Sequence, residues 1–430
     1  MQLNLAPLFI YIIHKIWIDV SKLGNKKLYM IKNVNKKIIK IYLLFNVIIL
    51  FLLSSISAEV IKIGLTRLKE GDTFILQSQD GGYIYLDNKI ILKTKSEIKL
   101  TVRTVFNYLS IALKEGDKTV SYEGRECKIV PSIFVSIENP VKTVKKYYEG
   151  EIIIKSKDGT LFAINQIEFD KYLSAVVSKE IGTESGIEAL KAQAIVSRSY
   201  AIFNFQKHKK DGFNVCDSRF ACCQVYDGTY KAFNPKVYDA VSHTTGEILT
   251  YNGRCIDAVF HSCCGGRTCS SVDTWPNTDE KKWLVGINDI DNSGEAYCKN
   301  SPRFKWRNEI PKEVIAQCFG LHQTTDKLSL QKNNSNDIIY ICIGDKRLTV
   351  MDFRRKLARL GYKGVDSNFF EIEEKNNSYI FFGYGFGHRV GMCQNGAKEM
   401  ARRGYNYRDI LKHYYPNVNI SNRRDYEKGF

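Results

Sequence analysis

The chain has 430 residues, of which 44% are apolar and 25% are charged, a globular composition that excludes a disordered tail protein, a disulfide miniprotein and a multi-span membrane protein. Lys and Arg outnumber Asp and Glu by 63 to 46, so the net charge is +17. This charge suits an anionic polymer, but no nucleic-acid recognition motif accompanies it, and we do not expect nucleic acid as a partner.

The first 58 residues predict an export signal. A Lys-rich stretch over residues 26–40 precedes an apolar run over residues 41–53, and small residues follow the run. The run is shorter than the ~20 residues of a bilayer-spanning helix. An uncleaved N-terminal membrane anchor stays open as the alternative, and we expect membrane contact through this segment alone. Because Met30 would start a signal of more usual proportions, residues 1–29 are a candidate upstream extension.

Short β-type runs dominate residues 59–147. Runs such as Thr73–Leu76 and Tyr83–Leu86 lie on either side of the turn signal Gly81–Gly82, a pattern that predicts a β-rich region. Beyond this region, the Asp158–Gly159 pair between two apolar runs predicts a hairpin.

Helical patterns begin near residue 185. Ser185 and Glu188 have the spacing of a capping box, and apolar residues then keep helical spacing to about Lys207. Residues 214–305 are rich in Cys and Gly and carry few long periodic runs. The chain is therefore predicted to be α+β, with a β-rich N-terminal region, a mixed α/β domain over residues 148–420 and a tail over residues 421–430.

The C-terminal part of the chain predicts further helices and a loop. We expect a basic helix over Asp352–Leu360, a helix over Gln394–Arg403 that stops at Gly404, and a helix that Asn406 opens and that ends before Pro416. Strands should lead into the Gly-rich residues 383–387, and the Asn-rich residues 332–337 predict a surface loop.

The cysteines cluster in one part of the chain. Eight of the twelve lie between Cys216 and Cys298, which in an exported protein indicates disulfides, a metal site or both. Each adjacent pair, Cys222–Cys223 and Cys263–Cys264, is expected to have two different partners rather than an internal bond. Neither pair resembles the Cys-x-x-Cys knuckles of structural zinc modules.

Four segments carry side chains suited to chemistry. They are Tyr172–Ile181 with its continuation through Glu188–Ala194 and Arg198–Ala201, Cys223–Gly228, Phe260–Thr268 with Trp275 behind it, and Gly385–Ala397 with Ile410–Pro416 behind it. In this order, and collinearly from about Tyr148 to Pro416, they resemble the stage II sporulation protein D family, whose members cut bacterial wall glycan or assist amidases that work on it.

The resemblance implies a catalytic domain over residues 148–420 with a long substrate groove. The expected protein is exported to the bacterial cell envelope and acts there as a lytic transglycosylase on peptidoglycan glycan strands. The alternative is a non-catalytic, wall-binding activator of an N-acetylmuramoyl-L-alanine amidase, which would then be a partner. A hydrolase with two carboxylates is the third interpretation.

The chain departs from the family's usual residues in two of the segments. Arg389, Cys393 and Asn395 replace Gly, Ser and Tyr, while Cys263 and Cys264 replace two Ser residues. Arg389 would crowd a saccharide subsite or add a contact to a carboxylate. These differences bear on substrate preference more than on the reaction.

The resemblance implies that Glu180 is the catalytic acid/base. The leaving glycosidic oxygen must be protonated, which needs a carboxylic acid kept neutral near pH 7 by a partly apolar pocket. One such acid suffices if the muramic C6 hydroxyl attacks its own C1, whereas a hydrolase needs a second carboxylate about 5–9 Å away. Glu184 does not suit that role because Gly182 predicts a turn, and Lys179 should point away because a close cation would lower the pKa. Taken alone, Glu180 would be a solvated carboxylate at a helix end.

Further candidates come from the same segments. The predicted substrate-binding residues are Arg198, Tyr200, Gln224, Tyr226, His261, Ser262, His388 and Gln394. Gln224 and Tyr226 would share one face of a strand, where they suit sugar hydroxyls or form a hydrogen-bonded core pair. For Arg198, a structural pair with a carboxylate is as plausible as substrate contact. His388 lies in a Gly-rich loop that opens a helix and suits an anion such as a lactyl carboxylate, or forms a tight turn.

One metal hypothesis rests on the resemblance. His208, Cys216 and Cys223 match positions at which some family members bind zinc, and thiolate and imidazole are zinc ligands. In an oxidising envelope we favour a disulfide at Cys216 over the metal. The glycan reaction requires no cofactor, so a zinc ion here would be structural.

Overall fold

The computed structural model describes residues 59–423, apart from residues 69–71, 116–117, 142–143, 218–221, 230–233, 277, 323–325 and 363. The predicted export signal or anchor over residues 1–58 lies outside the described residues, as does the tail beyond Arg423. Among the described helices, none has both the length and the apolar character needed to span a bilayer.

The N-terminal part is built from β-strands, as predicted. In chain order they are β1 (Val60–Gly64), β2 (Thr73–Ser78), β3 (Gly82–Leu86), β4 (Lys89–Thr94), β5 (Ile98–Val105), β6 (Tyr108–Glu115), β7 (Lys118–Gly124), β8 (Glu126–Pro131), β9 (Val135–Asn139), β10 (Val144–Tyr148), β11 (Glu151–Lys157) and β12 (Thr160–Glu168). A single 3-10 turn, Thr66–Leu68, lies among the described residues of this part.

Helices and shorter strands follow. They are α1 (Phe169–Glu180), α2 (Ile187–Phe203), β13 (Val215–Cys216), α3 (Pro235–His243), β14 (Glu247–Tyr251), β15 (Arg254–Cys255), β16 (Phe260–His261), α4 (Ser271–Thr274), β17 (Lys305–Pro311), α5 (Lys312–Cys318), β18 (Leu328–Lys332), β19 (Ile338–Ile343), β20 (Lys346–Thr349), α6 (Val350–Arg359), β21 (Phe370–Glu374), β22 (Ser378–Tyr384), β23 (Met392–Cys393), α7 (Gln394–Arg402), α8 (Tyr407–Tyr414) and β24 (Asn419–Asn422). The α+β class predicted from the sequence is confirmed.

Two sheets form the β-rich part. One has the strand order β13-β1-β12-β11-β8-β3-β4 and the other β10-β9-β2-β5-β6-β7. Alternate residues along β2 are buried, as expected when one face of a strand packs on a core. The predicted hairpin joins β11 to β12, and Asp158 (φ +52°) and Gly159 (φ +71°) both have the positive φ of a type I′ turn. The first sheet contains strands from both sides of residue 147.

Helix α2 lies between two hydrophobic cores. Ala189, Leu190 and Ala194 belong to the core shared with the β-rich sheets. Ile195 and Val196, on another face of the same helix, belong to a second core formed with α7 and α8. The helix is therefore buried on several faces, which fixes the segments on either side of it.

A third core organises the segment from β17 to β22. Two three-stranded sheets, β17-β22-β21 and β18-β19-β20, enclose it together with α5 and α6. The predicted Asn-rich loop is the connection between β18 and β19, but its last residue, Asp337, is fully buried.

The C-terminal helices agree closely with the predicted ones. Helix α7 ends one residue earlier than expected, and Gly404 follows it with a φ of +91°. The side chain of Asn406 caps α8 by accepting hydrogen bonds from the amides of Arg408 and Asp409.

The predicted capping box at Ser185 is wrong. The Ser185 hydroxyl donates to the carbonyl of Ile181 at 2.9 Å instead of accepting from the helix. Glu188 accepts hydrogen bonds from Lys191 and from the amide of Tyr407. Helix α2 consequently begins after Gly186, which has no capping side chain.

Candidate active site

Glu180 is the last residue of α1 and is partly buried. Its Oε1 accepts a hydrogen bond from the backbone N–H of Val225 at 2.7 Å, and the side chain of Gln394 forms a second hydrogen bond with it. Removal from water raises the pKa of Glu180 above its ordinary value, and the two hydrogen bonds only partly oppose this rise. The C-terminal end of a helix also disfavours a negative charge. Glu180 therefore has the environment of a general acid.

A chain of buried amides orients Gln394. Its Nε2 donates to Oε1 of Gln193 at 3.2 Å, and Nε2 of Gln193 donates to the Ser197 hydroxyl at 3.0 Å. Both glutamines are buried, and Gln193 and Ser197 lie one turn apart on α2. The amide that contacts Glu180 is thus held by the central helix rather than by solvent.

The charged neighbours of Glu180 are directed elsewhere. Lys179 forms an ion pair with Oδ2 of Asp227 at 2.7 Å, which agrees with the prediction that it points away from the acid. Glu184 lies exposed beyond Gly182, whose φ is +86°, and accepts a hydrogen bond from Thr183. The turn that the sequence predicted between the two carboxylates is present.

Strand pairing brings two predicted segments together. β16 and β23 are parallel, with His261 opposite Cys393, so His261 and Ser262 lie beside the start of α7 and Gln394. The amide nitrogen and side-chain Nδ2 of Asn395 donate to the carbonyl oxygen of Ser262 at 3.1 and 2.7 Å. Asn395, where the family usually has Tyr, therefore holds the Ser262 segment against α7.

Two neutral histidines lie next to each other in this region. The His261 and His388 ring centroids are 5.6 Å apart, and Trp275 lies 5.3 Å from His388. Burial lowers the pKa of His261 well below its ordinary value and that of His388 to about 4. Gly387 (φ +108°) permits this approach, since a Cβ there would lie 3.1 Å from Cβ of His261.

His261 has a ring nitrogen that is available to accept a hydrogen bond. Its Nδ1 lies 3.1 Å from the carbonyl of Val390, so this nitrogen carries the proton and Nε2 presents a lone pair. Within the described part of the chain, Nε2 is buried without a hydrogen-bond partner. A buried acceptor of this kind is costly unless a ligand satisfies it.

Arg198 does not reach a surface, in contrast to its predicted role in substrate binding. The side chain is 2% exposed and donates to the carbonyls of Glu247 and Val241 at 3.1 and 3.2 Å. It also lies 3.8 Å from Asp170. The structural alternative, a pair with a carboxylate, agrees with the Asp170 contact, and Arg198 also satisfies carbonyls near the end of α3.

Gln224 and Tyr226 also lie in the core rather than on a strand face open to substrate. Gln224 accepts a hydrogen bond from the Tyr172 hydroxyl at 3.1 Å, and Tyr226 donates to Oδ1 of Asn165 at 2.5 Å. Both side chains are almost fully buried. This segment contributes the backbone amide of Val225 to the site. A backbone group of this kind cannot be identified from the residue types in the sequence.

A second group of residues forms a candidate metal centre. The ligand atoms of His208, Cys216, Cys222 and Cys223 all lie within 4.8 Å of one another. All twelve cysteines lie in the described part, and none of them is in a disulfide there, so the structure does not contain the disulfide that we favoured at Cys216. We did not predict Cys222 as a metal ligand, because the sequence does not indicate that both cysteines of an adjacent pair face the same site.

The surroundings of this centre suit a metal ion. Nε2 of His208 lies 3.2 Å from Sγ of Cys222 and 3.7 Å from Sγ of Cys223. Nδ1 of the same ring lies 3.5 Å from Asp211, the arrangement by which carboxylates orient zinc-binding histidines. Tyr200, predicted to bind substrate, instead donates to the carbonyl of Cys222 at 2.9 Å. Three thiols and one imidazole fit tetrahedral zinc.

The fold and site together define an α+β protein with a partly buried glutamate at the end of α1, held by the Val225 amide and by Gln394 of α7. A family model described as "SpoIID: Stage II sporulation protein" matches residues 157–251. The chain is 30% identical to an uncharacterised protein of Brachyspira hyodysenteriae over 380 residues, which cover 86% of this chain and 95% of that protein.

Two named relatives extend the comparison. Stage II sporulation protein D of Bacillus amyloliquefaciens is 29% identical over 60% of this chain and 76% of its own length. The amidase enhancer of Bacillus subtilis is 25% identical over 58% of this chain, which spans 40% of that protein. The chain belongs to the stage II sporulation protein D family. These relatives support a role in sporulation that concerns the cell wall.

Proposed function

We propose that the protein is an exported lytic transglycosylase that cleaves the MurNAc–GlcNAc β-1,4 bond of peptidoglycan glycan strands. The observation that carries this proposal is Glu180, a partly buried carboxyl with a raised pKa that two fixed donors hold at the end of α1. The family's association with cell-wall lytic activity supports the same reaction. The net charge of +17 suits a substrate with lactyl carboxylates.

Each residue of the site then has a defined task. Glu180 in its protonated form donates to the leaving glycosidic oxygen, and as a carboxylate it accepts the proton of the muramic C6 hydroxyl that attacks C1. The Val225 amide and Gln394 hold the carboxylate between these steps. The lone pair on Nε2 of His261 accepts a hydrogen bond from a sugar hydroxyl. Ser262 and His388, which border the same segment, contact the saccharide.

The products of the reaction test the proposal. We expect glycan fragments released by the purified chain to end in 1,6-anhydromuramic acid, because Glu180 supplies the acid and the sugar supplies its own nucleophile. Mass spectrometry of the fragments distinguishes these ends from reducing ends by the mass of one water. Reducing ends would indicate attack by water and would overturn the assignment as a transglycosylase.

A second candidate is activation of an N-acetylmuramoyl-L-alanine amidase. The similarity to an amidase enhancer favours it. In that case the basic chain binds the wall, and the amidase is the partner. This function needs glycan binding but no proton transfer at Glu180, so the two candidates differ in their dependence on that carboxyl.

We further propose that residues 1–58 direct export or anchor the chain. Residues 59–147 would be a β-rich region, and residues 148–420 the catalytic domain with a substrate groove. The family's role in the cell wall supports a location in the cell envelope. We also propose a structural zinc ion at His208, Cys216, Cys222 and Cys223. Bound there, it would connect β13 to the loop that follows, and the glycan reaction would not depend on its chemistry.

Replacement of one ligand tests the zinc site. We expect Cys222→Ser to lose one zinc ion per chain and to unfold at a lower temperature than the wild type, because structural zinc contributes directly to folding free energy. Elemental analysis with thermal denaturation measures both. Cys342→Ser, a partly exposed cysteine outside the cluster, is the matched control and should keep its metal. Equal zinc contents in the two variants would contradict the proposal.

A further inference from the structure

A second cluster of ligand side chains lies in the core behind the active site. It consists of Cys264, Asp289, Cys298 and Cys393, whose ligand atoms all lie within 4.8 Å of one another. All four residues are fully or almost fully buried. They come from four separate segments of the chain, and two of them, Cys264 and Cys393, are among the residues in which this chain departs from its family's usual serines.

The spacing of the sulfur atoms suits one four-coordinate ion. Sγ of Cys264 lies 3.5 Å from Sγ of Cys298 and 2.9 Å from Oδ2 of Asp289. Sulfur and oxygen donors around tetrahedral zinc, at bond lengths of about 2.3 and 2.1 Å, lie roughly 3.5–3.8 Å from one another. A disulfide needs its two sulfurs at about 2.05 Å. The observed separation of the sulfurs is close to the edge of a zinc tetrahedron.

Backbone amides surround the sulfur atoms. The amides of Cys264 and Gly396 each lie 3.3 Å from Sγ of Cys393, and the amide of Gly266 lies 3.3 Å from Sγ of Cys264. Such N–H donors stabilise negative charge on sulfur. The Arg389 guanidinium, which donates to the carbonyl of Cys264, adds a positive charge nearby.

The buried carboxylate of Asp289 distinguishes this cluster from a group of ordinary buried thiols. Its Oδ1 accepts hydrogen bonds from the Tyr414 hydroxyl at 2.8 Å and from Nε2 of His413 at 3.1 Å. Its Oδ2 accepts a hydrogen bond from the Cys264 thiol at 2.9 Å, a contact that a cation bound by both groups would replace. Burial of a carboxylate among thiols is costly unless a cation compensates it. Hydrogen bonds to the outer oxygen of a ligating carboxylate are the usual outer shell of a metal site.

We propose that Cys264, Asp289, Cys298 and Cys393 bind a structural zinc ion. The site is closed, because four protein ligands leave no open position for substrate. It lies directly behind the acid/base site, since Cys393 caps α7 and precedes Gln394. The ion would hold the segment that carries Ser262 against the start of α7. The proposal depends neither on glycan cleavage nor on metal at His208.

Metal stoichiometry of the full chain tests the proposal. We expect Cys298→Ser to contain one zinc ion fewer per chain than the wild type in native mass spectrometry, whatever the occupancy of the His208 cluster. Cys127→Ser, another buried cysteine that lies outside both clusters, is the matched control and should keep the wild-type content. An unchanged zinc content in a folded Cys298→Ser chain would overturn the proposal.

Alkylation of cysteines in the wild-type chain tests the same proposal if Cys298→Ser does not fold. We expect Cys264, Cys298 and Cys393 to resist alkylation in the native protein and to react after a chelator is added, without any reductant. A disulfide would require a reductant before any of its sulfurs reacts. Thiols without metal would react only on unfolding, and a chelator would change nothing. Either of these last two results would overturn the proposal.

Discussion

Glu180→Gln should lower glycan cleavage by at least ~10²–10⁴-fold, the usual contribution of general acid/base catalysis. The amide keeps the shape of the side chain and can still accept the hydrogen bond from Val225, but it cannot transfer a proton. Release of anhydromuramic ends per unit time measures the loss. Glu184→Gln is the matched control, because this exposed carboxyl lies one turn beyond the site and should be dispensable.

The stability of the same variant separates lost chemistry from lost structure. Burial raises the pKa of Glu180 in the folded chain above its value in the unfolded chain, so the folded chain binds this proton more tightly. Wild-type stability therefore falls as the pH rises from the unfolded-state pKa through the folded-state pKa. Glu180→Gln has no such proton, so its free energy of unfolding relative to wild type should increase over that range. An equally active variant would instead favour the amidase activator.

Local signals in the sequence predicted local structure well. Gly404 and Asn406 set the limits of α7 and α8 because a positive φ and a capping side chain act within one turn of the residue concerned. The capping box at Ser185 failed for a related reason. A serine hydroxyl has several backbone partners within reach, and here the carbonyl of Ile181 is the one bonded.

The candidate active site was only partly predictable. Glu180 and Gln394 were both identified, but their contact depends on how α1 and α7 each pack against α2, which no pattern in the sequence encodes. Arg198 and Gln224 were predicted to bind substrate, with a structural role in the core as the alternative for each. In the structure they satisfy backbone carbonyls in the core, a role that polar residue type alone does not distinguish from binding.

Arg389 shows the same limit and has a structural consequence. We expected it to crowd a saccharide subsite or to add a contact to a carboxylate. It is instead fully buried, with Nη1 at 2.6 Å from Oδ1 of Asp337 and Nη2 at 2.8 Å from the carbonyl of Arg267. Arg267 also contacts Asp337 at 2.8 Å. Asp337 ends the loop between β18 and β19. The ion pair therefore connects the segment from β17 to β22 to the Gly-rich loop that carries His388.

Asp337→Asn should destabilise the protein by about 3–5 kcal/mol, because it leaves the Arg389 guanidinium buried without a countercharge. Chemical denaturation measures the loss. Glu373→Gln, which removes one partner of the exposed Lys375–Glu373 pair, is the control and should cost less than about 1 kcal/mol. The double variant Arg389→Met with Asp337→Leu should recover most of the stability, since well-packed apolar side chains often replace a buried ion pair without loss. If Asp337→Asn cost no more than Glu373→Gln, the pair would not be what holds the two segments together.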